Sequence, residues 1–436
     1  MTGGATSASG LARRLGVFDA TMIVMGGIIG AGIFRNPSVV AQQVGTPSLM
    51  LGAWVTGGVI ALAGAFVYAE LAQRRPEVGG QSAYIRDAFH PMAAFLYGWT
   101  LLLVTQTGGM AAVAMTFADY FRELTGLDVP RSAIAVATLL TFTVINCLGV
   151  RSGSNVQSTL MVVKIAAILM LVVLGWRAVH SENFSALPAH SRNSFLAAMV
   201  PVLFAYGGWQ TASFVSGEMR NPERDLPRGL LYGVLGVLAL YLAVNVVCIL
   251  ALGPEALATT QTPASEVMRR ALGEGGARLI AAGIAVSTVG FLSQGMLTAP
   301  RVYYAMARDG VFFRRVGTLN EKTRAPVTAI ALQGVWACAI VLFFQLYGPV
   351  LNYVVALDAV FFGLTGAALL VFRGRNPAAV KGMSMPGHPV TTLVFVLAFW
   401  TLALSTILKF PRDAGMGVMI LLLGVPVYLY WSKRAP

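Results

Sequence analysis

The sequence predicts an all-α integral membrane protein, and three observations carry that expectation: the composition, the length of the apolar runs and the placement of the basic residues. Of 436 residues 56% are hydrophobic and 11% are charged, where a soluble protein carries about 25% charged residues. Mean hydropathy is +0.71. A water-soluble fold is excluded. Twelve apolar stretches can be counted between polar breaks, and at about 20 residues per span they place roughly 240 residues in lipid. That leaves no room for a soluble catalytic domain.

The first six runs lie at 17–44, 48–72, 92–117, 134–148, 158–179 and 195–215. Six more follow at 230–252, 279–306, 327–344, 350–372, 391–408 and 415–430. They read as helices, because lipid cannot satisfy an open backbone and the runs are too long and continuous for barrel strands. The first run follows a polar tail at 1–16 and does not read as a cleaved signal peptide.

A net charge of +13 raises the question of nucleic acid, but the charges follow topology instead. With the N-terminus inside, inner segments hold 20 basic residues and outer segments 9, while Arg35 and Lys164 fall within spans. By the positive-inside rule both termini are expected in the cytoplasm. Cys147, Cys248 and Cys338 all lie within predicted helices, which offers no external disulfide framework.

Two spans carry interruptions that a plain anchor would not need. The first holds Gly26, Gly27, Gly30 and Gly32, four glycines in seven residues, each costing a helix about 1 kcal/mol relative to Ala. The sixth holds Pro201 ahead of Gly207 and Gly208. Either alone is explained by close helix packing. Both together, opening two successive blocks of five spans, point to a transporter site. A half-helix starting near Gly30, Ala31 and Gly32 presents free N–H groups to a carboxylate, and the carbonyls ending the preceding half-helix can accept from an ammonium. Span 6 is expected to add free carbonyls near Phe204 and Ala205, with the Phe204 ring placed to cover the solute.

At these residues the chain resembles the amino acid, polyamine and organocation transporter superfamily, most closely bacterial members of the L-type amino acid transporter family. The resemblance runs through 26–34, 68–71 with Pro76, Gly79 and Gly80, 146–151, 204–209, 217–227 and 301–310, in the family's order. It implies a LeuT-like five-plus-five inverted repeat at 17–179 and 195–372, with discontinuous helices 1 and 6, peripheral spans at 391–430, a tail at 431–436 and alternating access. It assigns Ile28, Ala31 and Gly32 to the substrate carboxylate and Phe204 and Gly207 to the gate and site. Ala31 replaces the usual serine, which predicts altered affinity rather than lost function.

Lys164 lies well inside a span, where a lysine is expensive and marks a functional site by default. The resemblance gives it the place of a sodium ion, meeting span 1 carbonyls and the Ser287 hydroxyl, which also makes it a candidate proton site. Asp358, a carboxylate inside span 10, must be protonated or paired. The resemblance places it facing the site, with Ala359 where some animal members carry a bulky aromatic.

Thr105, Gln106 and Thr107 can line the cavity or bond between helices, and Tyr206 and Trp209 can pack or serve the site. Glu70, Glu218, Arg220, Glu223, Arg224 and Arg308 gather at inner span ends, as a latch or as a solvated basic face. His90, His180, His190 and His388 are dispersed without metal-ligand spacing, and no dinucleotide or phosphate-binding motif is present, so neither an enzyme nor a cofactor is expected.

Three functions stay open at this point. The first is a sodium-independent carrier of neutral L-amino acids by exchange or facilitated transport. The second is a proton-coupled carrier of cationic amino acids or polyamines, and the third is a non-transporting sensor or channel. Residues 120–132, between spans 3 and 4, contain no cysteine, so the disulfide-linked heavy subunit of animal relatives is not expected. The resemblance to bacterial members implies an inner membrane.

Overall fold

The computed structural model describes residues 11–433 apart from 77, 185–193, 344–346, 379, 381 and 410. His190, named above, lies outside the described residues, as do most of the N-terminal tail and the last three residues of the tail at 431–436. The helices in chain order are α1 (Val17–Ile28), α2 (Gly32–Gln43), α3 (Pro47–Arg74), α4 (Gln81–Ala88), α5 (Pro91–Thr100), α6 (Gln106–Thr125), α7 (Arg131–Cys147) and α8 (Val150–Gly175). They continue as α9 (Phe195–Tyr206), α10 (Pro222–Thr259), α11 (Pro263–Thr298), α12 (Pro300–Arg308), α13 (Val327–Phe343), α14 (Tyr347–Arg375), α15 (Val390–Lys409) and α16 (Pro411–Ser432).

Among the described residues nine helical stretches are long and apolar enough to cross a bilayer, or ten if α1 and α2, bent by 44° at their break, make one span. Two shorter apolar helices, α7 and α13, occupy the fourth and ninth apolar runs. The protein is therefore a multi-pass, all-helical membrane protein. Several helices begin where proline supplies the first turn: Pro47, Pro91, Pro222, Pro263 and Pro300 all stand at the start of theirs. The missing N–H costs nothing there, because the first turn has no acceptor for it. The third apolar run is not one uniform helix, since a π-helical turn over Leu101–Thr105 joins α5 to α6.

Glycines set how closely the spans approach. A Cβ on Gly229 of α10 would stand 2.4 Å from Ala20 Cβ, and one on Gly57 of α3 would stand 2.2 Å from Val202 Cγ1. These are the small-residue contacts by which membrane helices pack, since lipid offers no hydrophobic drive for their association. Between α3, α9 and α10 the rings of Trp54, Tyr206 and Tyr241 meet at 5.1 to 5.8 Å.

One end of the bundle is closed by ion pairs. Arg301 donates twice to Glu218, at 2.9 and 3.1 Å, with both residues fully buried. Glu70, also buried, accepts from Arg373, Arg74 and the Met385 backbone N–H. The chain entering α1 joins this end through the Arg14 and Leu15 N–H groups, which donate to Glu218 O. Of the residues grouped by sequence as a latch, Glu70 and Glu218 are engaged, while Arg220, Glu223, Arg224 and Arg308 are exposed. The opposite end is tied by backbone acceptors, with Ser38 Oγ donating to Thr260 O and Gln42 Nε2 to Ala258 O.

Removing one partner of a buried bidentate pair strands the other charge, at a cost of about 3–5 kcal/mol. Arg301→Met should lower stability by that amount in a thermal-unfolding assay in detergent. The double variant with Glu218→Leu should recover most of the loss.

Candidate solute site at two broken helices

The α1 helix ends because Ile29 leaves the helical region at φ −75°, ψ 100°, and α2 begins again after Ala31. The carbonyls of Ile28, Ile29 and Gly30 thus lose the N–H groups that a continuous helix would supply. Three neighbouring helices replace them. Tyr241 of α10 donates to Ile28 O at 3.1 Å, Lys164 of α8 to Ile29 O at 2.5 Å and Ser287 of α11 to Gly30 O at 3.3 Å. Lys164 and Ser287 are fully buried. Gly290 leaves the lysine its space, since a Cβ there would lie 3.0 Å from Lys164 Cε.

The second break is built alongside the first. The α9 helix stops at Tyr206; Gly207 is extended, and Gly208 adopts φ 114° before a 3₁₀ segment over Trp209–Glu218. Only glycine occupies that conformation without strain. A Cβ on Gly208 would also stand 2.1 Å from Gly27 O, so the two breaks touch through backbone. They share a donor as well, because the Tyr241 hydroxyl lies 3.2 Å from Ala205 O. At the start of α2, the position of a Gly32 Cβ lies 3.8 Å from Ala205 Cβ, and Asn36 Nδ2 donates to Pro201 O at 2.9 Å.

Two placements differ from the sequence reading. Gly26 lies inside α1 rather than at the break, where a Cβ would meet Gln157 Nε2 at 2.2 Å; it admits the amide of α8. The carbonyls near Phe204 and Ala205 are not free: Phe204 O accepts from Gly207 N and Ala205 O from Tyr241. An unpaired buried carbonyl costs about 1–3 kcal/mol, and the fold supplies donors accordingly. The groups left available are the N–H groups of Gly32 and Ile33 in the first turn of α2, since Phe34 N already donates to Ala31 O. They lie beside Gly30, Ala31 and Gly32, all only half-buried.

Phe204 is 40% exposed at the end of α9. Arg35 is exposed, while Thr107 bonds back to Leu102 O within its own span. Tyr206 and Trp209 are packing residues: Tyr206 joins the ring cluster, and Trp209 stacks on Phe362 of α14 at 5.0 Å. Asp358 lies one helical turn before Phe362, half-buried, with the Thr105 hydroxyl facing it.

Sequence reasoning missed Tyr241, Asn36, Gln157 and the buried bond from Gln294 to Thr211. For Tyr241 a signal existed, because it stands mid-span four residues before Asn245. Gly208→Ala should be the most damaging glycine substitution here, combining a strained φ with a backbone clash. Folded yield in detergent should fall well below that of Gly30→Ala, whose Cβ would find its nearest atom at 3.8 Å.

A family model described as amino acid permease matches residues 15–425. The human large neutral amino acids transporter small subunit 2 is 28% identical over 445 residues, covering 97% of this chain and 82% of its own length. The serine/threonine exchanger SteT of Bacillus subtilis (strain 168) is 29% identical over 435 residues, covering 98% and 99%. The mouse Asc-type amino acid transporter 1 is 27% identical over 447 residues, covering 97% and 82%.

Proposed function

The chain belongs to the amino acid permease family, and from that premise we propose that it is a secondary transporter moving neutral L-amino acids by alternating access. Transport is sodium-independent and proceeds by exchange or facilitated diffusion. The observation that carries the reading is the division of labour at the first break. Its carbonyls are met by Tyr241, Lys164 and Ser287, while the half-buried N–H groups at the start of α2 are left for a ligand carboxylate. The relatives, a large neutral amino acids transporter subunit, an Asc-type amino acid transporter and a serine/threonine exchanger, support the same substrate class.

In this reading Ile28, Gly30, Ala31 and Gly32 bind the α-carboxylate and α-amine, Ala205 and Gly207 complete the site, and Phe204 closes over the solute. Gly26 is a packing residue beneath it. The buried ammonium of Lys164, bonded to Ile29 O beside the Ser287 hydroxyl, stands where a carrier driven by sodium would need the metal. The halves at 17–179 and 195–372, each opening on a broken helix, move against one another. Glu218–Arg301 seals the end that the excess of basic residues assigns to the cytoplasm, with both termini on that side of a bacterial inner membrane. The chain works without a disulfide-linked heavy subunit.

Proteoliposomes preloaded with unlabelled amino acids test this. Labelled neutral amino acids should enter when internal substrate is present, equally with and without Na⁺, and uptake confined to arginine, lysine or polyamines would refute the assignment. Lys164→Met strands the Ile29 carbonyl and should reduce exchange by at least about tenfold, consistent with 1–3 kcal/mol for the lost bond. Ala31→Ser adds a hydroxyl where the backbone already donates, and should shift KM by less than about tenfold with kcat retained.

A further inference from the structure

The C-terminal end of α16 carries a surface that solute transport does not use. The connection after α12 passes through Phe312 and Phe313 into a 3₁₀ turn over Arg314–Gly317. Phe312 and Val316 are buried and join Tyr428 of α16 in one apolar cluster, which docks the turn on that helix. The three residues between them, Phe313, Arg314 and Arg315, are exposed. One helical turn beyond Tyr428, the Trp431 ring meets Phe313 edge-on at 5.0 Å, and Tyr430 stands 6.1 Å from Trp431. Phe313 and Tyr430 are 57% and 52% exposed, so the rings form a platform on the outside of the bundle.

That platform is bordered by Arg314, Arg315 and Lys433, the last exposed just past the end of α16. No acidic residue answers these cations. Residues 310–320 and 414–436 contain neither Asp nor Glu, and Asp309, the carboxylate nearest to the turn in sequence, already accepts from Arg86 at 2.8 Å. Among the described residues none of the three basic side chains has an ion-pair partner. Rings at the end of a membrane span sit at headgroup level, where their apolar faces meet lipid and their polar edges meet water. Guanidinium groups match the oxygens of a phosphate in a bidentate fork. A phospholipid satisfies both halves of this surface at once. Sign selects among phospholipids, because a zwitterionic headgroup brings its own cation to a cluster that is already positive and uncompensated.

We propose that this surface binds the headgroup of an anionic phospholipid, with Phe313, Tyr430 and Trp431 against its glycerol and upper acyl region and Arg314, Arg315 and Lys433 on its phosphate. The site requires only that the chain spans the membrane, and it stands apart from the choice of transported solute.

Brominated phospholipids, whose bromines quench a neighbouring indole, test it in vesicles. The signal from Trp431 is the difference in emission between the wild type and Trp431→Phe. In phosphatidylcholine vesicles containing phosphatidylglycerol, bromine on the phosphatidylglycerol should quench that signal at least about fivefold more effectively per molecule than bromine on the phosphatidylcholine, the worth of a single basic residue near an anionic surface. The preference should weaken as NaCl is raised. Arg314→Gln/Arg315→Gln/Lys433→Gln should bring the two lipids to equal quenching. Equal quenching in the wild type overturns the proposal, and so does a preference that survives the triple variant. Loss of the preference on adding inorganic phosphate, but not chloride at matched ionic strength, would assign the surface to a soluble anion instead. A Trp431 signal that neither lipid quenches also overturns it, and its dependence on the protein-to-lipid ratio would identify a second copy of the chain as the cover. Should the triple variant fail to fold, Arg314→Gln and Lys433→Gln decide singly: a reduced preference in each supports the site, and an unchanged preference in both overturns it.

Discussion

A bilayer interior offers no hydrogen bonds, so a helix that stops there must have every exposed carbonyl met by a donor from another part of the protein. That constraint organises the centre of this molecule. Ile28, Ile29 and Gly30 turn their carbonyls out of α1, and α10, α8 and α11 each send one donor: a phenol, an ammonium and a hydroxyl. The lysine is thus tolerable in lipid because it answers a need of the backbone. Asymmetry follows from the same arrangement. Carbonyls on one side of the break are occupied by protein, while on the other side the Gly32 and Ile33 N–H groups meet no acceptor among the described residues.

Around the break the contacts are backbone against backbone, which requires glycine. Gly27 and Gly208 approach so closely that a side chain on either would collide with the other's carbonyl, and Gly208 is further committed by its positive φ. Tyr241 then reaches both unwound segments with one hydroxyl. A displacement of α1 against α9 must exchange or break these bonds.

Lys164 and Asp358 have different solutions to burial. Lys164 is fully enclosed and satisfied by a carbonyl. Asp358 is half-buried in α14, with the Thr105 hydroxyl facing it. At the closed end of the bundle the solution is different again. Arg301 and Glu218 neutralise each other in a bidentate pair, a geometry that satisfies charge and direction together.

Much of this was legible from the chain alone because membranes impose one-dimensional rules. Apolar run length reports the spans, basic residues report topology, and glycines within an apolar run report a break. Lys164 and Asp358 announced themselves by being charged where charge is expensive. The sequence could not show that Gly26 packs against Gln157 while Gly27 meets Gly208, because both are glycines in one run and only the helix phase separates them. Nor could it identify Tyr241 as the shared donor of two breaks, or select Arg301 and Arg373 from many basic residues as the partners of Glu218 and Glu70. Those choices depend on which side chains converge from helices distant in sequence. Composition and spacing carry hydrophobicity and local backbone preference; the pairing of buried polar groups is decided only when tertiary packing brings donor and acceptor within about 3 Å of each other.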